Sequence, residues 1–187
     1  MMDSKGKGSL EIVKSMEEHA ELINGKIVLT DMMTTPHNRA VDKIVDALDS
    51  KLKSGCEVFS KSVGLFVNEI LGDESNFFLP DVMVVDKDAK VDDDGVHSAP
   101  RFVAEVISES TIKTDYIYKM CIYGEIGVAE YWVVDLLRKL IARFLADNDF
   151  APELFDYPDT KILAPKTYPE VEIELSEVFQ SQVKSGE

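Results

Sequence analysis

The stretch "FFLPDVMVVD", residues 77–86, decides how the chain is read. Its Phe, Leu, Val and Met residues have the pattern of a buried strand, with a Pro-Asp pair at the entrance. The stretch "RFVAEVIS", residues 101–108, repeats the arrangement, with one carboxylate, Glu105, in the middle. Side chains alternate along a strand. Val103, Glu105 and Ile107 therefore share one face, and Phe102, Ala104 and Val106 share the other. Both faces are apolar, which predicts a central strand. Asp81 shares a face with Met83 and Val85. An unpaired ionised carboxylate in such a place is costly, so each acid must be paired, protonated or bound to a metal. For one strand acid, a salt bridge or a strand end in solvent is the simplest answer. Two acids on consecutive strands change the balance, because pairing of those strands lets both carboxylates converge. Two hard oxygen ligands plus waters suit Mg²⁺. A bound Mg²⁺ can activate water and neutralise charge on a phosphoryl oxygen.

Working outward, "STIKTDYIYKMCIYGEIG" predicts a helix capped by Thr114 and ended near Gly127. Asp115 and Lys119 are spaced i, i+4 and lie on one helix face. From spacing alone they are an ordinary surface ion pair. The long Lys119 stem could also reach back toward Glu105, and Lys113 in the preceding loop is the alternative. Upstream, "TTPHNRAVDKIVDALDSKLKSG" is the clearest helix. Thr35 is expected to cap it, Pro36 suits its first position, and Gly55 is expected to stop it. Val41, Ile44, Val45, Leu48 and Leu52 form its apolar stripe.

"SLEIVKSMEEHA" has helical spacing, with Leu10, Val13 and Met16 on one side. "AELINGKIVLT" reads as a hairpin around Asn24-Gly25, with Glu21 on its first strand. "CEVFSKSVGLFVNEI" reads as one or two strands and residues 86–100 as a loop. "AEYWVVDLLRKLIARFLAD" reads as a strand hairpin, and "VEIELSEVF" as a closing strand. No repeat or linker divides the chain. The expectation is one α/β domain over residues 1–187, with a mixed central sheet flanked by helices, an N-terminal hairpin, and frayed ends at 1–8 and 181–187.

The 187 residues suffice for one domain with a core, and the 45% hydrophobic content is in the globular range. No run approaches the ~20 apolar residues that span a bilayer. The first residues lack the pattern of a signal peptide. A cytoplasmic location, with no membrane partner, is the expectation. Cys56 and Cys121 are expected to be reduced core thiols. The net charge of −15 argues against a protein that coats DNA, whose affinity would rest on Lys and Arg. It leaves room for an enzyme with a local basic rim.

The order Pro80-Asp81, strand Glu105, then a lysine resembles the PD-(D/E)XK nucleases, the restriction-endonuclease-like fold. More narrowly, the chain resembles the bacterial Uma-two family of endonucleases. The motifs stand here as "ELING" from Glu21, "PHNRAV" from Pro36, "LPDV" from Leu79, "EVISEST" from Glu105, "DYIYK" from Asp115 and "GVAEYWVVD" from Gly127. The tail "YPEVEIELSEVF" resembles the family's closing strand. The resemblance covers the chain from about Glu21 to Phe179. It implies a divalent-metal-dependent phosphodiesterase acting on nucleic acid, most simply a DNA endonuclease, with Mg²⁺ or Mn²⁺ as cofactor. Asp81 and Glu105 would be metal ligands, joined by the backbone carbonyl of Val106. Lys119 would stand in for the strand lysine expected at the Ile107 position, positioning the attacking water or stabilising charge on the scissile phosphate. Glu21 and His37 would support the site or touch substrate, and Asp115 would orient Lys119. A homodimer is expected by analogy. The chain departs from the pattern at Glu109, where proline is usual, and at "LLRK" after Asp135. An inactive nuclease-fold binding or assembly module, or a nuclease for RNA, fits the same residues.

Other signals are weaker. "DDDG" at 92–95 fails the calcium-loop spacing, because Lys90 and Arg101 stand where ligands are needed. Pro158-Asp159 lies in a loop-like stretch and has no following strand acid at a useful distance. His97 is expected to be exposed in its polar loop. Tyr131 and Trp132, and Tyr116, Met120 and Tyr123, read as core.

Overall fold

The apolar stripe of the clearest helix and the two-faced apolar strands meet as the sequence requires. A computed structural model describes residues 5–16, 19–29, 33–52, 55–60, 63–108 and 111–180. The expectations at residues 1–4, 181–187 and Glu109 lie outside these; residues 5–8, expected to fray, instead begin the first helix. In order the chain forms α1 (Lys5–Ser15), β1 (Ala20–Ile23), β2 (Lys26–Leu29), α2 (Thr35–Lys51), β3 (Cys56–Ser60), β4 (Gly64–Leu65), α3 (Val67–Leu71) and β5 (Val82–Asp86). Then follow β6 (Val91–Asp92), β7 (Gly95–Val96), β8 (Phe102–Ile107), a π-helical segment (Thr114–Lys119), α4 (Met120–Ile126), β9 (Glu130–Asp135) and β10 (Leu140–Leu145). The chain closes with β11 (Glu153–Asp156), β12 (Ile162–Leu163), β13 (Ile173–Glu174) and α5 (Leu175–Val178).

The central sheet has the order β11-β10-β9-β8-β5-β3. β8 and β9 run parallel and the other pairs antiparallel, so the sheet is mixed. β8 is central, and its two faces feed different cores. Phe102, Ala104 and Val106 pack with Val41, Ile44 and Leu48 of α2. Val103 and Ile107 pack with Met83, Val85 and Tyr123 on the α4 side. The faces are those the alternation predicts. The β1–β2 hairpin turns on Asn24 and Gly25, both at positive φ (51° and 73°), the conformation Asn-Gly tolerates at low cost. It docks through reciprocal bonds between Leu22 and Phe77 (2.8 and 2.9 Å).

Several boundaries differ from the sequence reading. Thr34, not Thr35, caps α2: its hydroxyl accepts from the His37 amide at 3.4 Å, so the helix begins one residue earlier. Both threonines can cap, and the one that reaches the amide three residues on prevails. Gly55 does not stop α2. The helix closes at Leu52, whose amide bonds the Leu48 carbonyl (2.8 Å), while Gly55 (φ 109°) bends the chain into β3. The "VNEI" stretch is helical, terminated by Gly72 in the left-handed conformation. The loop at 86–100 contains the β6–β7 ribbon, and β7 pairs with β4. Gly95 is required there, because a Cβ would run into the Gly64 carbonyl oxygen. Thr114 makes no capping bond and begins the π-helical segment instead. The closing strand is only Ile173–Glu174, continued as the short α5. Cys121 is exposed and Cys56 half-buried, so neither is a core thiol, though both are free. His97 is not open to solvent: its ring stacks on Phe66 (4.2 Å between centroids) between Glu69 and Asp92.

The shifted cap yields a direct check. Thr34→Ala is expected to cost about 0.5–2 kcal/mol of stability by urea unfolding. Thr35→Ala should stay within about 0.5 kcal/mol.

Candidate functional site

β5 and β8 pair antiparallel with Val82 opposite Ala104. This register brings Asp81, the residue before β5, against Glu105. The Asp81 amide donates to Glu105 Oε2 at 3.2 Å. The Val106 amide donates to Asp81 Oδ2 at 2.8 Å, and His37 Nε2 lies 3.0 Å from the same oxygen. His37 reaches it because the first turn of α2 lies beside the start of β5. The backbone contact that Val106 makes to the acid is thus through its amide.

The second half comes from the helix after β8. A π-helical turn is wider than an α-turn and is often found at functional sites. Here it turns Asp115 and Lys119 inward, and each is only 4% exposed. Their pairing (3.6 Å) is buried rather than the surface contact that spacing suggests. Lys119 Nζ also donates to Glu105 Oε1 (3.0 Å) and to Glu21 Oε1 (2.8 Å). Glu21 comes from the hairpin and accepts from the Leu79 amide at 2.8 Å, next to Pro80-Asp81. Three segments, the hairpin, β8 and the π-helical turn, therefore meet around one ammonium group.

Glu21, His37, Asp81, Glu105, Val106, Asp115 and Lys119 line one cavity of about 770 Å³. Lys113 is exposed and is not among the lining residues. Two residues of the site were missed. The Tyr123 hydroxyl donates to Glu105 Oε1 at 2.8 Å, and the Tyr131 hydroxyl donates to the Asp115 carbonyl at 3.1 Å. Both have the sequence pattern of core residues, and both are fully buried. The only signal was the choice of Tyr over Phe in an apolar setting, where a hydroxyl needs a partner. Asp135 and Arg138 also line the cavity, on the β9–β10 turn.

Negative charge is in surplus here. Burial pushes the Glu105 carboxyl up to about 8, against the pull of Lys119, with Asp115, Asp81 and Glu21 pushing the same way as burial. Asp115 is raised, by burial first. For Lys119, burial disfavours the charge, but Glu105, Glu21 and Asp115 outweigh it and hold its value well above that of an ordinary lysine. Among the described residues no three His, Cys, Asp or Glu side chains form a ready metal-binding group. A cation here would take two carboxylates, Asp81 and Glu105, and complete its shell from backbone oxygen and water. That donor set suits Mg²⁺, which keeps several waters, and the surplus carboxylate charge fits a divalent cation.

The family Uma2, described as "Putative restriction endonuclease", matches residues 9–177. A crystal structure of "a putative nuclease belonging to DUF820 from Anabaena variabilis ATCC 29413" superposes with a TM-score of 0.74 at 18% identity. The superposition covers 90% of this chain and 95% of that one, and it shows a shared fold. No curated protein matches the chain.

The buried carboxyl predicts a pH dependence of stability. A carboxyl raised from 4.5 to about 8 binds more protons folded than unfolded across that interval. Stability must therefore fall as pH rises through it. In chelator-treated protein, the melting temperature is expected to fall between about pH 5 and 8. Glu105→Gln should flatten the slope, and an unchanged slope would refute the assignment.

Proposed function

The chain belongs to the Uma2 family, and on that premise we propose that it is a divalent-metal-dependent endonuclease acting on DNA. The observation that best supports this is the convergence of Asp81, Glu105 and Lys119 in one cavity, with two carboxylates placed side by side by strand pairing. Asp81 and Glu105, with the Val106 carbonyl, would hold Mg²⁺ or Mn²⁺. When bound, such an ion supplies Lewis-acid chemistry for water and for a phosphoryl oxygen. Lys119 orients the attacking water or lies against the negative charge that develops on the phosphate. Glu21 and Asp115 fix the ammonium in place, His37 fixes Asp81, and Tyr123 fixes Glu105. A rigid sheet holds these groups better than a loop does. RNA offers the same phosphodiester and is the alternative substrate. The net charge of −15 favours a second reading, a non-catalytic binding or assembly module of the same fold.

Supercoiled plasmid incubated with Mn²⁺ or Mg²⁺ separates these readings. The native protein is expected to nick it, and Glu105→Gln, Asp81→Asn and Lys119→Met should each reduce the rate by about 100-fold or more. Nicking at equal rates by native protein and Glu105→Gln would mean that the site is misassigned. Calorimetric titration with Mn²⁺ should show binding that Asp81→Asn loses and Lys119→Met retains. A native protein that neither nicks nor binds Mn²⁺ would favour the binding module.

A further inference from the structure

The cavity combines a buried acidic floor, an apolar wall and one exposed guanidinium. Asp81 is 7% exposed and Glu105 and Lys119 4% each, so a scissile phosphate has to descend to reach them. The lining also carries Val28 and Leu29 of β2, Met33 ahead of α2, Ile112 before the π-helical segment, and Leu137 on the β9–β10 turn. Most of these apolar side chains are open to solvent: Val28 is 42% exposed, Leu29 52%, Met33 41% and Leu137 74%.

Lys119 is occupied by three carboxylates, and its side chain is 5% exposed. Among the described lining residues, Arg138 is the cation whose head faces solvent, with a side chain 61% exposed. It is not loosely held. Asp135, buried at 2%, accepts from the Arg138 amide with Oδ1 (2.8 Å) and from its Nη1 with Oδ2 (2.7 Å). A buried acid thus spends both oxygens on setting one turn and holding one exposed guanidinium on the cavity lining.

These features discriminate between forms of nucleic acid. A duplex carries its phosphates on a stiff outer ridge, with a persistence length of about 50 nm, and hides its bases in the stack. On a chain of net charge −15 it would gain little from phosphate neutralisation and nothing from the apolar wall. An unpaired strand can turn one phosphate down to the floor and lay a base on aliphatic side chains, as pockets for extruded bases do. We propose that this site takes its substrate as an unpaired strand, with a flanking phosphate on Arg138 and a base against the wall formed by Leu29 and Leu137. The proposal rests on the nuclease reading and narrows its substrate.

The test uses a fluorescein-labelled single strand of about a dozen nucleotides, a length within the range of single-strand sites, and the same strand annealed to its complement. Binding to the native protein is followed by anisotropy in Ca²⁺ over a salt series, and cleavage in Mn²⁺. The single strand is expected to bind at least about tenfold tighter than the duplex, equivalent to about 1.4 kcal/mol, and to be cleaved preferentially. Arg138→Gln should weaken binding and make the salt slope shallower by about 0.7, the loss of one single-strand phosphate contact. Leu29→Ser combined with Leu137→Ser should reduce the advantage of the single strand while leaving the salt slope unchanged. Equal binding and cleavage of both forms, or an Arg138→Gln slope identical to the native one, would overturn the proposal and leave the nuclease reading standing. Cleavage of neither form, with nucleic acid not bound, would overturn both.

Discussion

The ammonium group of Lys119 is the point on which the site depends. It lies buried between Glu21, Glu105 and Asp115, within 2.8 to 3.6 Å of each. Removing one partner from a buried ion cluster strands the rest, at a cost of about 3–5 kcal/mol. The hairpin, the central strand and the helix after it are therefore fastened by one charge as well as by apolar packing. Three carboxyl groups crowd around one lysine with Asp81 beside them, and that crowding together with burial raises Glu105 toward its neutral form. That imbalance makes the arrangement poor as a mere structural staple and suitable for receiving a cation.

The fold delivers these groups by simple means. Antiparallel pairing of β5 and β8 sets Asp81 against Glu105. The π-helical turn then brings Lys119 back to the same point from outside the sheet. The hairpin supplies Glu21 and is itself pinned by Leu22 and Phe77. Asn76 adds a second pin, its side-chain oxygen accepting from the Asn24 amide (3.0 Å) and the Tyr118 hydroxyl (2.9 Å). Each catalytic candidate thus sits on a regular element or immediately beside one, which fixes its geometry.

The two faces of β8 show how one strand serves both stability and function. One face is purely apolar and seals α2 against the sheet. On the other, Glu105 interrupts the apolar row, and the structure answers with two donors on a single oxygen, Lys119 and Tyr123. A polar group in a core is tolerable only when it is satisfied in this way. No helix among the described residues is long and apolar enough to cross a membrane.

The central strand, both of its faces, the Asn-Gly hairpin, the apolar stripe of α2 and the β9–β10 turn are all legible in the sequence. These follow from periodicity and turn chemistry, which are local. It also named Asp81, Glu105, Lys119, Glu21, His37 and Asp115, because an acid in an apolar strand is conspicuous and the motif order is legible. Cap positions shifted by a residue where two threonines stood side by side, since only three-dimensional reach chooses between equals. The ribbon in the loop at 86–100 was hidden, because strands of two residues have no period to detect. Whether Lys119 met solvent or Glu105 was undecidable from an i, i+4 spacing that fits either. Tertiary structure decided it by widening one helical turn. It likewise turned Tyr123 and Tyr131 from core residues into hydrogen-bond donors, because the partner of a buried hydroxyl is set by packing between elements far apart in the chain.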